Sequence, residues 1–572
     1  MATSGDPRPQ AREVVRRHPG HPGAWIMLAE AELDAGDPRA GEAACHRALA
    51  LAPGHPEALA RLGRAQWMLG RHGEAAASLR AAAAAAPGHP GIALWLGHAL
   101  EDAGAPEEAA LAYARAHALA PGEPQIAAHL LAWRRRLCDW RDLDALGAQV
   151  RAAVRSGHAA VEPFAFLAED ASAAEQLQCA RRWAAPVAAS VRPLPPAPAR
   201  PADRPLRLGF LSNGFGAHPT GLLVVAMMEA IAASAAAGLH LFALDPDDGS
   251  RVRQRLGEAA RLHALAGRDD AQVAGTIHQA GIDVLFDLRG WGGGGRPRVL
   301  ASRPAPVQVN WLAYPGTSGA PWIDYVLADS FVLPASLAAH FSEKVLRLPR
   351  CFQPSDTTRG LPPAPPRDTC GLPADAVVLC CFNNSYKLNP RSMDRAFRVL
   401  AGVPGSVLWL LSGPGGADRR LREQARSRGL DPARLVFMDK QPHAAYLARL
   451  QLADLFLDTH PYNAHTTASD ALWAGCPVLT CPGGTFASRV AGSLNHHLGM
   501  PEMNAGDDDA FVERAITLGN DRAALADLRA RLVRQRRDSG LFDMDGFAAD
   551  FVAAAALMAR PQYPAGSAHL EA

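Results

Sequence analysis

The sequence predicts an all-α repeat superhelix at the N-terminus, followed by two doubly wound α/β lobes. Three observations predict it. Prolines and glycines recur every 34 residues through the first 124 positions. Beyond residue 206, short apolar runs alternate with helix-like stretches. Two proline-rich joints separate these parts. At 572 residues the chain is too long for one hydrophobic core, so roughly two to four domains are expected.

The repeats come first. Pro19, Pro53, Pro87 and Pro121 stand 34 residues apart, and so do Pro22, Pro56, Pro90 and Pro124. Gly36, Gly70 and Gly104 keep the same step, at the turn expected between paired helices. Leu28, Leu62 and Leu96 recur on one helix, and Ala48, Ala82 and Ala116 on the other. This period with helix–turn–helix patterning is that of the tetratricopeptide repeat. One unit cannot bury its apolar face alone, so the units stack into a superhelix. Three full repeats fit within 20–124, in a repeat domain spanning 1–124. Residues 125–192 read as irregular helices outside that register, with helices at 127–137 and 142–156, capping and joining the solenoid.

The joint at 192–205 carries too many prolines for a helix or a central strand. An N-terminal lobe, 206–360, then shows apolar runs at 206–211, 239–244, 284–288, 307–312 and 325–328. A second joint at 361–366 precedes a C-terminal lobe, 374–535, with runs at 377–382, 407–411, 435–438, 455–458 and 478–481. Such alternation implies parallel sheets covered by helices. Two doubly wound lobes place a ligand in the cleft between them, at the carboxyl ends of strands. The last part, 536–572, includes the end of a helical amphipathic stretch at 523–560, which is expected to pack back across the lobes.

Composition excludes several classes. The 48% hydrophobic content rules out a mainly disordered chain. A net charge of +1, from 58 basic and 57 acidic residues, gives no electrostatic argument for nucleic acid or an anionic membrane. Nine cysteines show no metal-ligand spacing, and Cys380, Cys381, Cys476 and Cys481 sit in or beside strand-like runs. They read as small buried hydrophobes in a reducing compartment. The first residues lack the apolar core of a signal peptide, and no apolar run is long enough to span a bilayer. The expectation is a soluble, cytoplasmic chain with no metal and no cofactor.

Four clusters could carry chemistry. After the run at 455–457, the segment 458–477 opens a helix near Thr466. A helix start presents free N–H groups and the positive end of its dipole, a seat for a diphosphate. His465, Thr466 and Thr467 would hold that group, and Asp470, one turn further in, would reach a ribose hydroxyl. The alternative is an ordinary capped helix behind a strand. In the second cluster, 382–390, Lys387 and Asn384 follow a strand. A leaving diphosphate gains negative charge as its bond to a sugar breaks, so a fixed cation stabilises the transition state more than the ground state. A plain surface lysine is the alternative. The third cluster, 212–221, has small residues that allow close backbone approach, and His218 ahead of a helix. His218 would be a base or a sugar-hydroxyl partner, or else a simple helix cap. In the fourth, 311–319, backbone around Ala313 and Pro315 would line a sugar pocket. His443 would stack on a nucleobase and Lys440 reach a ribose. The glycine-rich run 289–296 lacks the lysine and spacing of a P-loop and reads as a loop at the cleft. No Asp-x-Asp signature stands out in the cleft-forming loops, so metal-independent chemistry is expected.

At these residues a resemblance becomes specific. The repeat array, the 137–140 segment read as helix, His218–Thr220, Tyr314–Gly319, Ser385–Lys387, His465–Gly475 and Ala487–Val490 together resemble the protein O-linked N-acetylglucosamine transferase family, in a bacterial form, over nearly the whole chain. The resemblance implies a GT-B fold and inverting transfer from UDP-N-acetylglucosamine to Ser or Thr of proteins. It implies Lys387, Asn384, His465, Thr466 and Thr467 at the diphosphate, Asp470 and Lys440 at ribose, and His443 at uracil. His218 and the Ala313 backbone would lie at sugar and acceptor, with His218 or the donor's own phosphate as the base. Animal members carry a large insert between the lobes and many more repeats. Tyr462 stands where they have a small cysteine beside the N-acetyl group, and a bulkier side chain is expected to crowd that pocket. The stretch 437–443 is shorter than its counterpart. A plant branch uses GDP-fucose, but 385–387 and 314–319 favour the UDP-sugar branch.

The expected activity is protein O-GlcNAc transfer, with the acceptor chain held by the repeats. Two rivals are another UDP-sugar enzyme of the same fold, such as a 2-epimerase or small-molecule glycosyltransferase, and a non-catalytic scaffold that binds UDP-sugar. The repeats argue against the first, because such arrays grip peptides; Lys387 and His465–Thr467 argue against the second.

Overall fold

The computed structural model describes residues 6–157, 161–196, 204–560 and 569–571, the last three as backbone alone. The chain divides into two compact units. One comprises Met1–Val150 with the short segment Gly413–Ala417, and the other the remaining chain.

The first unit is helical. After Arg8–Arg17 come three pairs: Pro22–Asp34 with Pro38–Leu51, Pro56–Met68 with His72–Ala85, and Pro90–Asp102 with Pro106–Leu119. Each first helix starts on a repeated proline, where the missing N–H costs nothing and the fixed φ suits the first turn. Between partners the chain turns through Gly36, Gly70 and Gly104, at φ of +82°, +75° and +73°, a region that favours residues without a Cβ. Partner helices approach closely. A Cβ on Gly63 would lie 2.5 Å from Leu79, and one on Gly97 2.5 Å from Tyr113.

The register runs further than the glycines mark it. The helix Pro124–Arg136 begins 34 residues after Pro90 and matches the 13-residue length of the earlier first helices. Its turn is made by Cys138, at φ of +49°, where the pattern would place glycine. The backbone geometry of the repeat persists while its glycine is lost, so the segment reads as irregular. Leu137–Trp140, read as helix, is that turn. The next helix, Leu143–Arg155, follows it.

The second unit opens with Pro163–Phe166 and Ala173–Ser190. The first proline-rich joint is irregular at 191–196, and its 197–203 part lies outside the described residues. Strands β1 (Arg207–Ser212), β2 (Gly238–Ala243), β3 (Arg261–Ala264), β4 (Val284–Asp287), β5 (Val307–Asn310), β6 (Tyr325–Asp329) and β7 (Lys344–Leu348) follow. Then come β8 (Val378–Cys381), β9 (Val407–Leu411), β10 (Leu435–Met438), β11 (Leu455–Leu457), β12 (Val478–Leu479) and β13 (His569–Glu571). One sheet has the order β13-β7-β6-β5-β4-β1-β2-β3 and the other β10-β9-β8-β11-β12. Every pair is parallel. Strand order reverses between β1 and β4 in the first sheet and between β8 and β11 in the second. These are the switch points at which open parallel sheets leave a crevice. The ten strands read from the sequence are present. Three more, β3, β7 and β13, are added at sheet edges or next to them. Arg261 of β3 and Lys344 and Arg347 of β7 interrupt the apolar pattern that would reveal those two.

The two sheets are joined within this unit. Asp329, buried at the end of β6, accepts hydrogen bonds from Ser493 Oγ (2.7 Å) and from the N–H of Val332 (2.7 Å) and Phe352 (3.0 Å). Arg489 Nε donates to the Phe331 carbonyl at 2.9 Å. The C-terminal stretch touches both sheets. Arg529 of the helix Arg522–Asp538 pairs with Asp454 at 3.1 Å, beside the second sheet. The helix Met544–Met558 instead packs on the first sheet, where Phe551 lies 4.7 Å from the rings of both Phe286 and Trp311. Phe551→Ala is expected to cost about 3–5 kcal/mol, read as a lower thermal unfolding midpoint. An unchanged midpoint would show that this helix is no part of the first core.

Candidate active site

A cavity of about 300 Å³ opens at the carboxyl ends of strands from both sheets. From the first lobe, His218 and Thr220 line it after β1, Arg289 and Gly293 after β4, and Leu312 and Ala313 after β5. From the second, Asn384, Tyr386 and Lys387 follow β8, and Tyr462, His465, Thr466 and Thr467 follow β11. Both topological switch points therefore open onto one space. Among the described residues lining it there are two cations, Arg289 and Lys387, and no carboxylate.

The second-lobe wall is built around Asp458, which is buried just past β11. Its Oδ1 accepts the N–H of Thr459 (2.8 Å) and of Ala464 (2.7 Å), winding 458–464 into a closed loop. Asn383 Nδ2 donates to the same oxygen at 3.2 Å, and Thr480 Oγ1 to Oδ2 at 2.7 Å. The wound loop turns the Asn463 carbonyl and the Tyr462 ring towards Lys387. Lys387 Nζ donates to Asn463 O at 2.7 Å and stands 3.8 Å from the Tyr462 ring centroid. Burial pushes the Lys387 ammonium down to about 8, against the attraction of Asp458.

The Ala487 carbonyl ties the neighbouring helix start to this loop. It accepts the Asn463 N–H at 3.0 Å and His465 Nε2 at 3.2 Å. The bond makes Nε2 the protonated nitrogen of His465, and burial holds that imidazole neutral, well below its ordinary value. His465 is the N-cap of Thr466–Ala474 but makes no side-chain cap bond. The first N–H groups of this helix thus begin at the cavity wall beside Lys387, an arrangement that suits an anion.

His218 is both cap and wall. Its Nδ1 accepts the Thr220 N–H at 3.2 Å at the start of Pro219–Ser234. In the neutral ring the proton then sits on Nε2, so the free edge donates rather than accepts. Burial, with Arg289 and Lys440 nearby, pushes this imidazole down to about 4.

The structure brings His218, Ala313, Asn384, Lys387, His465, Thr466 and Thr467 to one cavity, and leaves Pro315, Lys440, His443 and Asp470 out of its lining. Asp470 is buried and held by Arg359 Nη1 at 2.8 Å, with His443 Nε2 on its other oxygen at 3.2 Å. Pro315 is buried and Lys440 exposed. Sequence reasoning gave no role to Asp458, Arg289 or Arg359. Asp458 was visible as a carboxylate directly after a strand, the position from which a side chain can cap its own loop. Arg359 lies beyond a strandless stretch and gives no local signal.

Comparison with known proteins places this geometry. The model for glycosyl transferase family 41 matches residues 196–363 and 363–551, and a tetratricopeptide repeat model matches 8–56, 26–90 and 61–124. The probable UDP-N-acetylglucosamine–peptide N-acetylglucosaminyltransferase SEC of Arabidopsis thaliana is 33% identical over 71% of this chain and 44% of its own length. The UDP-N-acetylglucosamine–peptide N-acetylglucosaminyltransferase of Caenorhabditis elegans is 29% identical over 60% of this chain and 40% of its own. The matched region thus spans less than half the length of these curated relatives. The solved structure of a mutant Thermobaculum terrenum O-GlcNAc transferase is similar at a TM-score of 0.68 and 28% identity, covering 98% of this chain and 99% of that one.

The buried imidazoles set an acid limit. His218, His240 and His460 are each pushed down to about 4 by burial. In the unfolded chain they take up protons near their ordinary 6.5, while the folded chain does not, so stability present above pH 6.5 is lost as pH falls towards 4. The thermal midpoint is expected to drop between pH 7 and pH 5. His218→Asn, which keeps an N-cap acceptor, should drop less over the same interval; an identical drop would remove His218 from the effect.

Proposed function

The chain belongs to glycosyl transferase family 41, and from that premise we propose that it is an inverting, metal-independent transferase moving N-acetylglucosamine from UDP-N-acetylglucosamine to Ser or Thr hydroxyls of proteins. One observation carries the reading: a buried lysine and a helix start share one wall of a cavity onto which both switch points open. In this reading the diphosphate lies against Lys387 and the N–H groups at Thr466 and Thr467. As the glycosidic bond breaks, charge accumulates on the leaving UDP, and those fixed donors stabilise it more than the intact donor. His218 offers an N–H to a sugar or acceptor oxygen, since its Nδ1 is taken by Thr220. With no carboxylate among the described lining residues, the acceptor's proton passes to a phosphate oxygen of the donor. Asp470 and His443 would reach the nucleoside from behind this wall, their mutual bond exchanging for ribose and base. The repeat helices would hold the acceptor proteins, and nine free thiols suit a reducing cytoplasm.

A second reading concerns the donor. The buried Tyr462 ring packs edge-on to Phe164 and Tyr386, at 6.2 and 6.0 Å, all three lining the cavity beside Lys387. That crowding favours a UDP-hexose without the N-acetyl group. Thermal shift across UDP-N-acetylglucosamine, UDP-glucose and GDP-fucose separates the donors, and mass spectrometry of proteins incubated with the active chain identifies transfer. Stabilisation by UDP-sugars without any protein modification would favour the rivals, a small-molecule enzyme or a scaffold.

Lys387→Ala is expected to lower turnover by about a hundredfold or more while weakening UDP binding by less than about tenfold. A UDP-release assay beside calorimetry reads both. Unchanged turnover would remove Lys387 from the mechanism.

A further inference from the structure

The sequence holds 58 basic residues, of which three are lysines: Lys344, Lys387 and Lys440. Arginine serves nearly everywhere else, so lysine at 387 answers a local requirement. An ammonium is a compact point charge that can sit on one ring face, whereas a guanidinium is a flat fork. Here Nζ stands 3.8 Å from the Tyr462 ring centroid, the shortest of the cation–ring distances among the described residues. Tyr462 is itself fixed. Its ring meets Phe164, Tyr386 and His465 at 6.2, 6.0 and 5.0 Å, and its carbonyl accepts Thr459 Oγ1 at 2.7 Å.

We propose that Tyr462 is a positioning residue of the cavity, its ring face bearing the Lys387 ammonium so that, with one N–H spent on Asn463, the remaining N–H groups are directed at the ligand. The ring also does an electrostatic task. A buried ammonium without a partner sheds its proton, and the negative face of an aromatic ring is a partner that takes no hydrogen bond away from the ligand. Besides Tyr462, the titratable groups facing the ammonium are Asp458 on the wound loop, Cys381 at the end of β8, His465 at the helix start and Tyr386 beside the lysine. Asp458 and Cys381 favour the charged lysine.

The small number of lysines makes the test direct. In the full chain labelled with 13C at lysine Cε, three resonances are expected, assigned by Lys344→Arg and Lys440→Arg. Lys387 should titrate at about 8, where burial has brought it. Tyr462→Phe, which keeps the ring, should leave that midpoint in place. Tyr462→Leu should lower it by about one pH unit, a tenfold loss of proton affinity. A midpoint unmoved in Tyr462→Leu overturns the proposal. The second readout rests on the reading of the cavity as a diphosphate site. Tyr462→Leu should bind UDP about threefold more weakly than the parent at pH 8 and within about twofold at pH 6.5. Equal weakening at both values would show that the ring does not act through the ammonium's charge and would overturn its electrostatic role. The NMR titration needs no ligand, so a parent chain that fails to bind UDP would count against the assigned function and leave the midpoints to decide the role of Tyr462.

Discussion

The Asp458 carboxylate is the constraint on which the site depends. It lies buried behind the cavity wall and accepts two backbone N–H groups of its own loop, one asparagine amide and one hydroxyl. A buried charge is tolerated only when its lone pairs are occupied, so the loop closes in one way. That closure sets Tyr462 under Lys387, turns Asn463 to receive the ammonium, and delivers the chain at His465 into a helix. The carboxylate also supplies the countercharge that keeps a buried lysine positive. Removing it would leave a cation without its charge partner and a loop with free donors at the same time.

The wall is tied to the rest of the unit through a short relay. Ala487 receives both Asn463 and His465, and the helix just beyond it carries Ser493, which donates to Asp329 at the end of β6 in the other sheet. The segment between the sheets is tied to both lobes. Asp356 pairs with Arg255 of the first lobe at 2.8 Å, and Arg359 with Asp470 of the second at 2.8 Å. Each of these bonds is buried or half-buried, where charge-assisted contacts are strong and costly to break singly. The cavity wall around Lys387 and the first lobe are therefore parts of one connected frame.

Much of this was legible in the sequence, for identifiable reasons. The 34-residue period survives wherever proline starts a helix and glycine makes the turn, and it fades where Cys138 takes the glycine's conformation. Apolar runs mark interior parallel strands because both faces are covered; β3 and β7 carry charges that hide them. Lys387, His465, Thr466 and Thr467 were findable because each sits a few residues past an apolar strand, which is where a doubly wound sheet exposes its loops. What stayed hidden depends on contacts between distant segments. Nothing near Asp470 announces Arg359, which lies 111 residues earlier, and nothing near Lys387 says that Asp458 would become its countercharge. Composition could not show either pairing, since both partners look like ordinary surface charges.

The account is tested most directly by calorimetric titration of UDP into Asp458→Asn. The amide offers one acceptor oxygen where the carboxylate offered two, and no charge to Lys387. The expected result is a chain whose circular dichroism matches the parent and whose UDP affinity is lower by at least about tenfold. Parent-like affinity in a folded Asp458→Asn chain would contradict the claim that this carboxylate builds the site.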